Sequence, residues 1–324
     1  MTEFLDAERV FALGPVATVR AIHDALAMGL DPDGDMPRVI TPVVNGQALL
    51  MPSESSGWFG VKVATVAPGN AALGLNRINA TYLLHDSRTL TLAAILDGVA
   101  LTTLRTPAVS VAACLDRLHE LASSAADGLR LVVFGAGPQA EWHVRTIRAH
   151  ARVAHVTAVT RRGSATTVWA DRHLAADSAA VADRVRAADV VVAATSAREP
   201  VLDGRLVRDT ALVLAVGSHE PTVRELDGTL MERATVVVES RASALREAGD
   251  VVMAVAEGRL DPRTLVTMAD LLTSEAALPG DRPTVVKTTG MGWEDLVVAV
   301  AAYQQAQTHR QGARAERHLR SHDM

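Results

Sequence analysis

Two groups of residues carry chemistry by type and spacing: a glycine-rich turn, and a few cations in apolar or turn surroundings. Gly135-Ala136-Gly137-Pro138-Gln139-Ala140 fits G-x-G-x-x-G/A, follows the apolar run Leu131 to Phe134 and opens a stretch with helical spacing. In that context the first glycine permits a tight turn and the second lets the backbone approach a pyrophosphate. Ala140 allows a helix to close on a strand, and free N–H groups at the helix start hold phosphate. Gly135, Gly137, Pro138 and Gln139 are therefore candidate dinucleotide contacts; a glycine turn with no ligand is the plain alternative for the hexapeptide alone. Further on, where NAD-binding domains usually place an acid on the ribose 2′-hydroxyl, the chain reads Val159-Thr160-Arg161-Arg162-Gly163-Ser164. Thr160, Arg161 and Arg162 suit a 2′-phosphate, which a guanidinium can bond bidentately. NADP(H) is favoured and NAD(H) stays possible; solvated loop arginines are the competing reading.

A small acidic substrate needs fixed cations. Three stand in β-rich or turn contexts: Arg38 in MPRVI, Lys62 in FGVKVAT and Arg105 in TLRTPA. Of 32 Lys and Arg residues only Lys62 and Lys287 are lysines. Lys62 interrupts the apolar run Val61-Lys62-Val63-Ala64, where a buried ammonium is costly unless it meets an acid or a ligand. Arg105 stands just ahead of residues 107–122, whose apolar spacing predicts a helix with an anion-favouring N-terminus. His219, with an ordinary pKa near 6.5, is a candidate proton donor, and a backbone-bonding loop residue is the alternative. Lys287 has no assignable role.

These residues need a scaffold. Residues 15–30 carry a helical apolar stripe with Pro in the first turn and Gly29 near the end. Residues 38–95 break into short β-rich runs between turn residues, which predicts an antiparallel sheet or partial barrel. From Leu129 apolar strands alternate with helices, the pattern of a parallel sheet covered on both faces. The fold class read here is α/β: a Rossmann-type doubly wound parallel sheet plus an α+β substrate and dimerisation domain. Residues 1–125 form the latter, with 291–324 packing back on it, and residues 126–290 the dinucleotide-binding domain.

Composition excludes other classes. The chain has 324 residues, 48% of them hydrophobic, and a formal charge of −5, which is neither disordered nor a nucleic-acid surface. Arg310, Arg314, Arg317 and Arg320 sit in a tail that reads as a solvated helix end. The single Cys114 supports no internal disulfide or cysteine metal site, and no metal is expected. With no signal-like N-terminus and no run of about 18 apolar residues, a cytoplasmic protein independent of membranes is expected.

Taken in order, Arg38, Leu50-Met51-Pro52, GVKV at Lys62, Pro68-Gly69-Asn70, LRTPA at Arg105, GAGPQA, AVGSHEP, REL and KTTGMGWEDL resemble the ornithine cyclodeaminase/μ-crystallin family across nearly the whole chain. The resemblance implies a homodimer and a substrate carboxylate held by Arg38, Lys62 and Arg105. It further implies cofactor contacts from Thr106, Thr195, Val216, Gly217 and Met291. Cyclodeaminases of the family resemble one another in an Asp after Val-Gly-x and a Glu before Leu-Met-Pro; here the segments are Val216-Gly217-Ser218-His219 and Leu49. Arg77 stands where relatives usually carry a small hydroxyl residue. The expectation is an NAD(P)H-dependent ketimine reductase of amino-acid metabolism, with Lys62 and His219 as catalytic residues. It would act on Δ1-pyrroline-2-carboxylate or Δ1-piperideine-2-carboxylate to give the L-imino acid. The alternatives are an ornithine or lysine cyclodeaminase or related amino-acid dehydrogenase, with Glu220 or Asp227 replacing the lost acids, and an NADPH-dependent ligand-binding protein.

Overall fold

The computed structural model describes residues 2–163, 166–273 and 278–322. The chain divides into two compact units. The first comprises Met1–Ile22, Gly34–Arg105 and Met291–Met324, and the second His23–Asp33 and Thr106–Gly290. Ser164 lies outside the described residues, as do the side chains of Arg314, Arg317 and Arg320.

In chain order β1 (Glu3–Leu5), α1 (Ala7–Phe11) and α2 (Gly14–Ala27) precede β2 (Val39–Val43), β3 (Gly46–Ser55), β4 (Trp58–Val66), β5 (Ile78–Asp86) and β6 (Leu92–Asp97); α3 (Gly98–Ala112) and α4 (Leu115–Ser124) follow. The predicted first helix is α2, and the chain turns out of it through Gly29 at φ +93°. Strands β2 to β6 form an antiparallel meander, and β1 adds in parallel along β6. Pleating sends alternate residues to opposite faces. In β4, Gly60, Lys62 and Ala64 are buried while Val63 and Thr65 are exposed. The register aligns Met51, Lys62, Tyr82 and Leu96 in one row, all buried. The last helix, α11 as numbered below, packs over β3, β4 and β5 with Leu296, Val298 and Ala299 buried, and Tyr303 meets Trp58 edge-on at 5.5 Å.

The second unit contains β7 (Leu129–Phe134), α5 (Pro138–His150), β8 (Val153–Thr160), β9 (Arg172–Ala175), α6 (Ala180–Ala187), β10 (Val190–Ala193), β11 (Leu212–Ala215), α7 (Gly228–Arg233), β12 (Thr235–Val238), α8 (Arg241–Glu247), α9 (Gly249–Ala256), β13 (Val266–Thr267), α10 (Met268–Thr273) and β14 (Thr284–Lys287); α11 (Gly292–His322) then returns to the first unit. Its eight strands are all parallel, in the order β13-β12-β14-β11-β10-β7-β8-β9. Strands β10, β11 and β14 are buried at every position, as a sheet sandwiched between helices requires. The first strand of this sheet, β7, lies between β8 and β10, so the strand order reverses there and opens a crevice at the carboxyl ends.

One expected element is corrected. Residues 107–122 are not a single helix, and Arg105 does not precede a helix N-terminus. The Asp97 Oδ1 atom accepts the N–H groups of Val99 (2.9 Å) and Ala100 (2.8 Å), so α3 starts at Gly98 and places Arg105 in its interior. Pro107 sits inside this helix, although its ring mimics a helix start in sequence. The helical path then bends by 70° between α3 and α4. Among the described residues no single helix is long and apolar enough to cross a membrane.

Candidate active site

In the first unit the core-facing slots of β4 decide the site. Lys62 occupies one of them between Gly60 and Ala64, and at Gly60 the missing side chain makes room for the Tyr82 ring, whose hydroxyl a Cβ there would meet at 2.0 Å. Its Nζ lies 2.7 Å from Asp295 Oδ2 and donates to Thr102 Oγ1 at 3.3 Å. The other oxygen of Asp295 accepts from Arg105 Nε at 3.2 Å, and the Arg105 guanidinium also pairs with Glu294. Lys62, Arg105, Glu294 and Asp295 are all buried. Glu294 and Asp295 occupy the first turn of α11, where the helix dipole favours negative charge. The loop before β2 supports that turn, since Asp35 accepts the N–H of Trp293 at 2.9 Å.

Burial brings the Lys62 ammonium from its ordinary 10.5 down to about 8, against the pull of the Asp295 carboxylate. Burial also raises Asp35, opposed by hydrogen bonds from Ser53, Trp293 and Met36. The Tyr82 phenol, beside Lys62 in the register, is raised well above its usual value by burial and by the charges of Asp295 and Asp35. Arg38 is half-buried, one residue before β2, at the end of the row containing Met51 and Lys62. The structure thus joins Lys62 and Arg105 through a shared carboxylate. Arg77 is exposed, and its carbonyl accepts the N–H of Ala67 to close the loop between β4 and β5.

The second unit brings its predicted residues to one edge. Gly135 to Gln139 follow β7, Thr160 to Arg162 end β8, Thr195 follows β10, and Val216, Gly217 and His219 follow β11, all at carboxyl ends of parallel strands. The chain at Gly135 has φ +117°, and a Cβ there would meet the Ala194 carbonyl oxygen at 2.4 Å. At Gly137, the N-cap of α5, a Cβ would meet nothing within 4 Å and no side chain caps the helix. An open, uncapped helix N-terminus behind a turn that excludes side chains fits a dinucleotide pyrophosphate. Arg161, Arg162 and His219 are exposed; Thr106 is buried in α3, and Met291 is buried and belongs to the first unit.

Four buried acids and Lys287 carry parts that the residue pattern did not reveal. Glu225 accepts Thr195 N and Oγ1, each at 2.7 Å, with one oxygen and Gly217 N at 2.6 Å with the other, tying together the loops after β10 and β11. Burial raises the Glu225 carboxyl while the Lys287 charge lowers it. At Gly217 a Cβ would meet Thr195 O at 2.1 Å and Glu225 Oε1 at 2.6 Å. Lys287 pairs with Asp250 at 3.1 Å and donates to the Ser218 carbonyl at 2.6 Å, and Asp250 accepts the backbone of Glu225 and Leu226. Glu239 holds Thr289 and Gly290 in the same manner. In the first unit, Asp295 was legible only as an acid pair with Glu294 interrupting the apolar start of α11. Asp227, one expected replacement for the missing cyclodeaminase acid, receives Gly204 N and Leu230 N as the cap of α7, and Glu220 is exposed.

Residues 20–310 match the sequence profile of the ornithine cyclodeaminase/mu-crystallin family. The chain is 31% identical over 284 residues to the ketimine reductase mu-crystallin of Mus musculus, covering 84% of this chain and 86% of the relative. It is 33% identical over 259 residues to a Delta(1)-pyrroline-2-carboxylate reductase of Paracoccus denitrificans, covering 74% and 77%. In fold it resembles the Thermococcus litoralis Delta(1)-pyrroline-2-carboxylate reductase solved with NADH and L-proline, with a TM-score of 0.82, 24% identity, and 95% and 98% of the two chains covered.

Proposed function

The chain belongs to the ornithine cyclodeaminase/mu-crystallin family, and on that premise we propose that it is an NAD(P)H-dependent reductase of a small cyclic ketimine carboxylate. Δ1-Pyrroline-2-carboxylate or Δ1-piperideine-2-carboxylate is the substrate and the L-imino acid the product. The observation that carries this reading is the buried pair of cations, Lys62 and Arg105, one shared carboxylate apart in a chain that lacks the acids a diamine needs. Leu49 is buried in the core, and His219, which stands where cyclodeaminases of the family carry the Asp, is exposed. A cyclic imine, its nitrogen already tied into the ring, asks for no second counter-charge.

Arg38, Lys62 and Arg105 bind the substrate carboxylate and orient the ring. Lys62, held against Asp295, donates a hydrogen bond to the carboxylate or to the imine nitrogen. His219 is the second proton donor. Gly135, Gly137, Pro138 and Gln139 take the pyrophosphate, and Thr106, Thr195, Val216, Gly217 and Met291 complete the cofactor site. Thr160, Arg161 and Arg162, with no acid beside them, favour a 2′-phosphate and hence NADP(H). The reduced nicotinamide supplies the hydride that enters C2. A homodimer through the outer face of the first-unit sheet accounts for the exposed apolar row Val39, Leu50 and Val63.

The test follows NADPH and NADH oxidation with the two imino acids, beside ammonia release from ornithine and lysine. Oxidation with an imino acid, faster with NADPH, is expected. Ammonia from ornithine with no imine reduction would overturn the proposal.

A further inference from the structure

We propose that Asp295 is a positioning residue for this reaction: a single carboxylate, gripped by Lys62 Nζ on one oxygen and Arg105 Nε on the other, fixes the two substrate-binding cations relative to each other. The proposal rests on the reading of Lys62 and Arg105 as the carboxylate site. Among the described residues, the charged groups acting on Lys62 are Glu294 and Asp295 on α11 and Arg105 on α3, with the titratable Tyr82 on β5 and Asp35 in the loop before β2 in the field of Asp295. Two cations this close repel each other, and burial opposes their charge. Asp295 offsets both effects, because it is the acid nearest to Lys62 and reaches Arg105 as well. Thr102, the other Lys62 partner, is uncharged and constrains the ammonium only by geometry.

Asp295 therefore controls how far into alkaline solution Lys62 stays charged. Asp295→Asn keeps the shape and removes the charge. The expected result is that the alkaline limb of kcat/KM for the imino acid moves down by about 1–3 pH units, the span one opposing charge commands. KM for the imino acid rises and KM for NAD(P)H does not change. Thr102→Val removes a neutral hydrogen bond and leaves the limb in place. Because the chain has just two lysines, 13C-lysine labelling gives two resonances to follow directly. The Lys62 midpoint falls in Asp295→Asn by the same interval as the limb.

A limb and a Lys62 midpoint both at wild-type positions in Asp295→Asn would overturn the inference. Asp295→Glu keeps the charge and is the variant to use where the Asn form does not fold; a limb displaced downward in it equally overturns the inference. The underlying reading fails separately, in Lys62→Ala. Wild-type kcat/KM there removes Lys62 from the site, whereas an inactive Lys62→Ala beside an unmoved limb in Asp295→Asn sinks only the role of Asp295.

Discussion

The two lysines of the chain are both buried and both paired with an aspartate, yet their surroundings differ in kind. Lys62, in the first unit, shares Asp295 with a second cation, Arg105. Lys287, in the second, faces Asp250, the carbonyl oxygen of Ser218 and the field of Glu225. In the first cluster two cations meet two carboxylates, Asp295 and Glu294, and stand side by side through those acids. In the second, among the described residues, a lone cation meets one paired carboxylate and the Ser218 carbonyl, and these contacts join loops. The first arrangement fits the carboxylate site proposed above; the second fixes the loop after β11.

Substituting each lysine should separate the two roles. Lys62→Ala is expected to lower kcat/KM for the imino acid by roughly 10²–10³-fold, the loss that follows when a buried charge partner is removed. Steady-state assays at pH 7 check this, and a loss confined to KM for NAD(P)H would break the contrast. Lys287→Met should act on stability. It leaves Asp250 buried without its counter-charge, at a cost of about 3–5 kcal/mol in chemical denaturation, with kcat reduced far less than in Lys62→Ala.

The third prediction sharpens the contrast through pH. With Lys62 near 8 in the folded chain and 10.5 unfolded, both states carry its proton below about pH 8. Between 8 and 10.5 the unfolded chain binds more protons, so this group's contribution to stability rises with pH, and above 10.5 it levels off. Activity should fall over the interval in which Lys62 stabilises the fold more. Parallel pH profiles of kcat/KM and of denaturation midpoint would show the divergence, and a joint fall that Lys62→Met does not alter would assign the activity loss to unfolding. The smallest effect belongs to the exposed pair: Arg161→Ser with Arg162→Ser should raise KM for NADPH about tenfold and leave KM for NADH near wild type, since exposed charge pairs contribute only about 0.2–1 kcal/mol each.

Much of this was legible before any coordinates. The apolar runs from Leu129 onward, with their helices between, could form only a covered parallel sheet, and GAGPQA marks where its first strand meets a helix. Lys62 betrayed itself by interrupting the core pattern of β4. At Arg105 the sequence misleads about the helix: Pro107 looks like a helix start, but Asp97 caps the helix a full two turns earlier. The partners of Asp295 are not legible in the sequence, because it lies 190 positions from Arg105 and no local spacing encodes the pairing.

The sequence by itself determined the element types, the nucleotide turn and the presence of cations where a core should be, since these follow from periodicity, glycine and the cost of burying charge. Only the tertiary structure decided which acid meets which cation. Strand register set Lys62 beside Met51 and Tyr82, and the return of α11 over the same sheet delivered Glu294 and Asp295 to it. It also separated the lysines: pairing through space, over intervals of 233 residues for Lys62 and 37 for Lys287, sets one beside a second cation and makes the other a joint between loops.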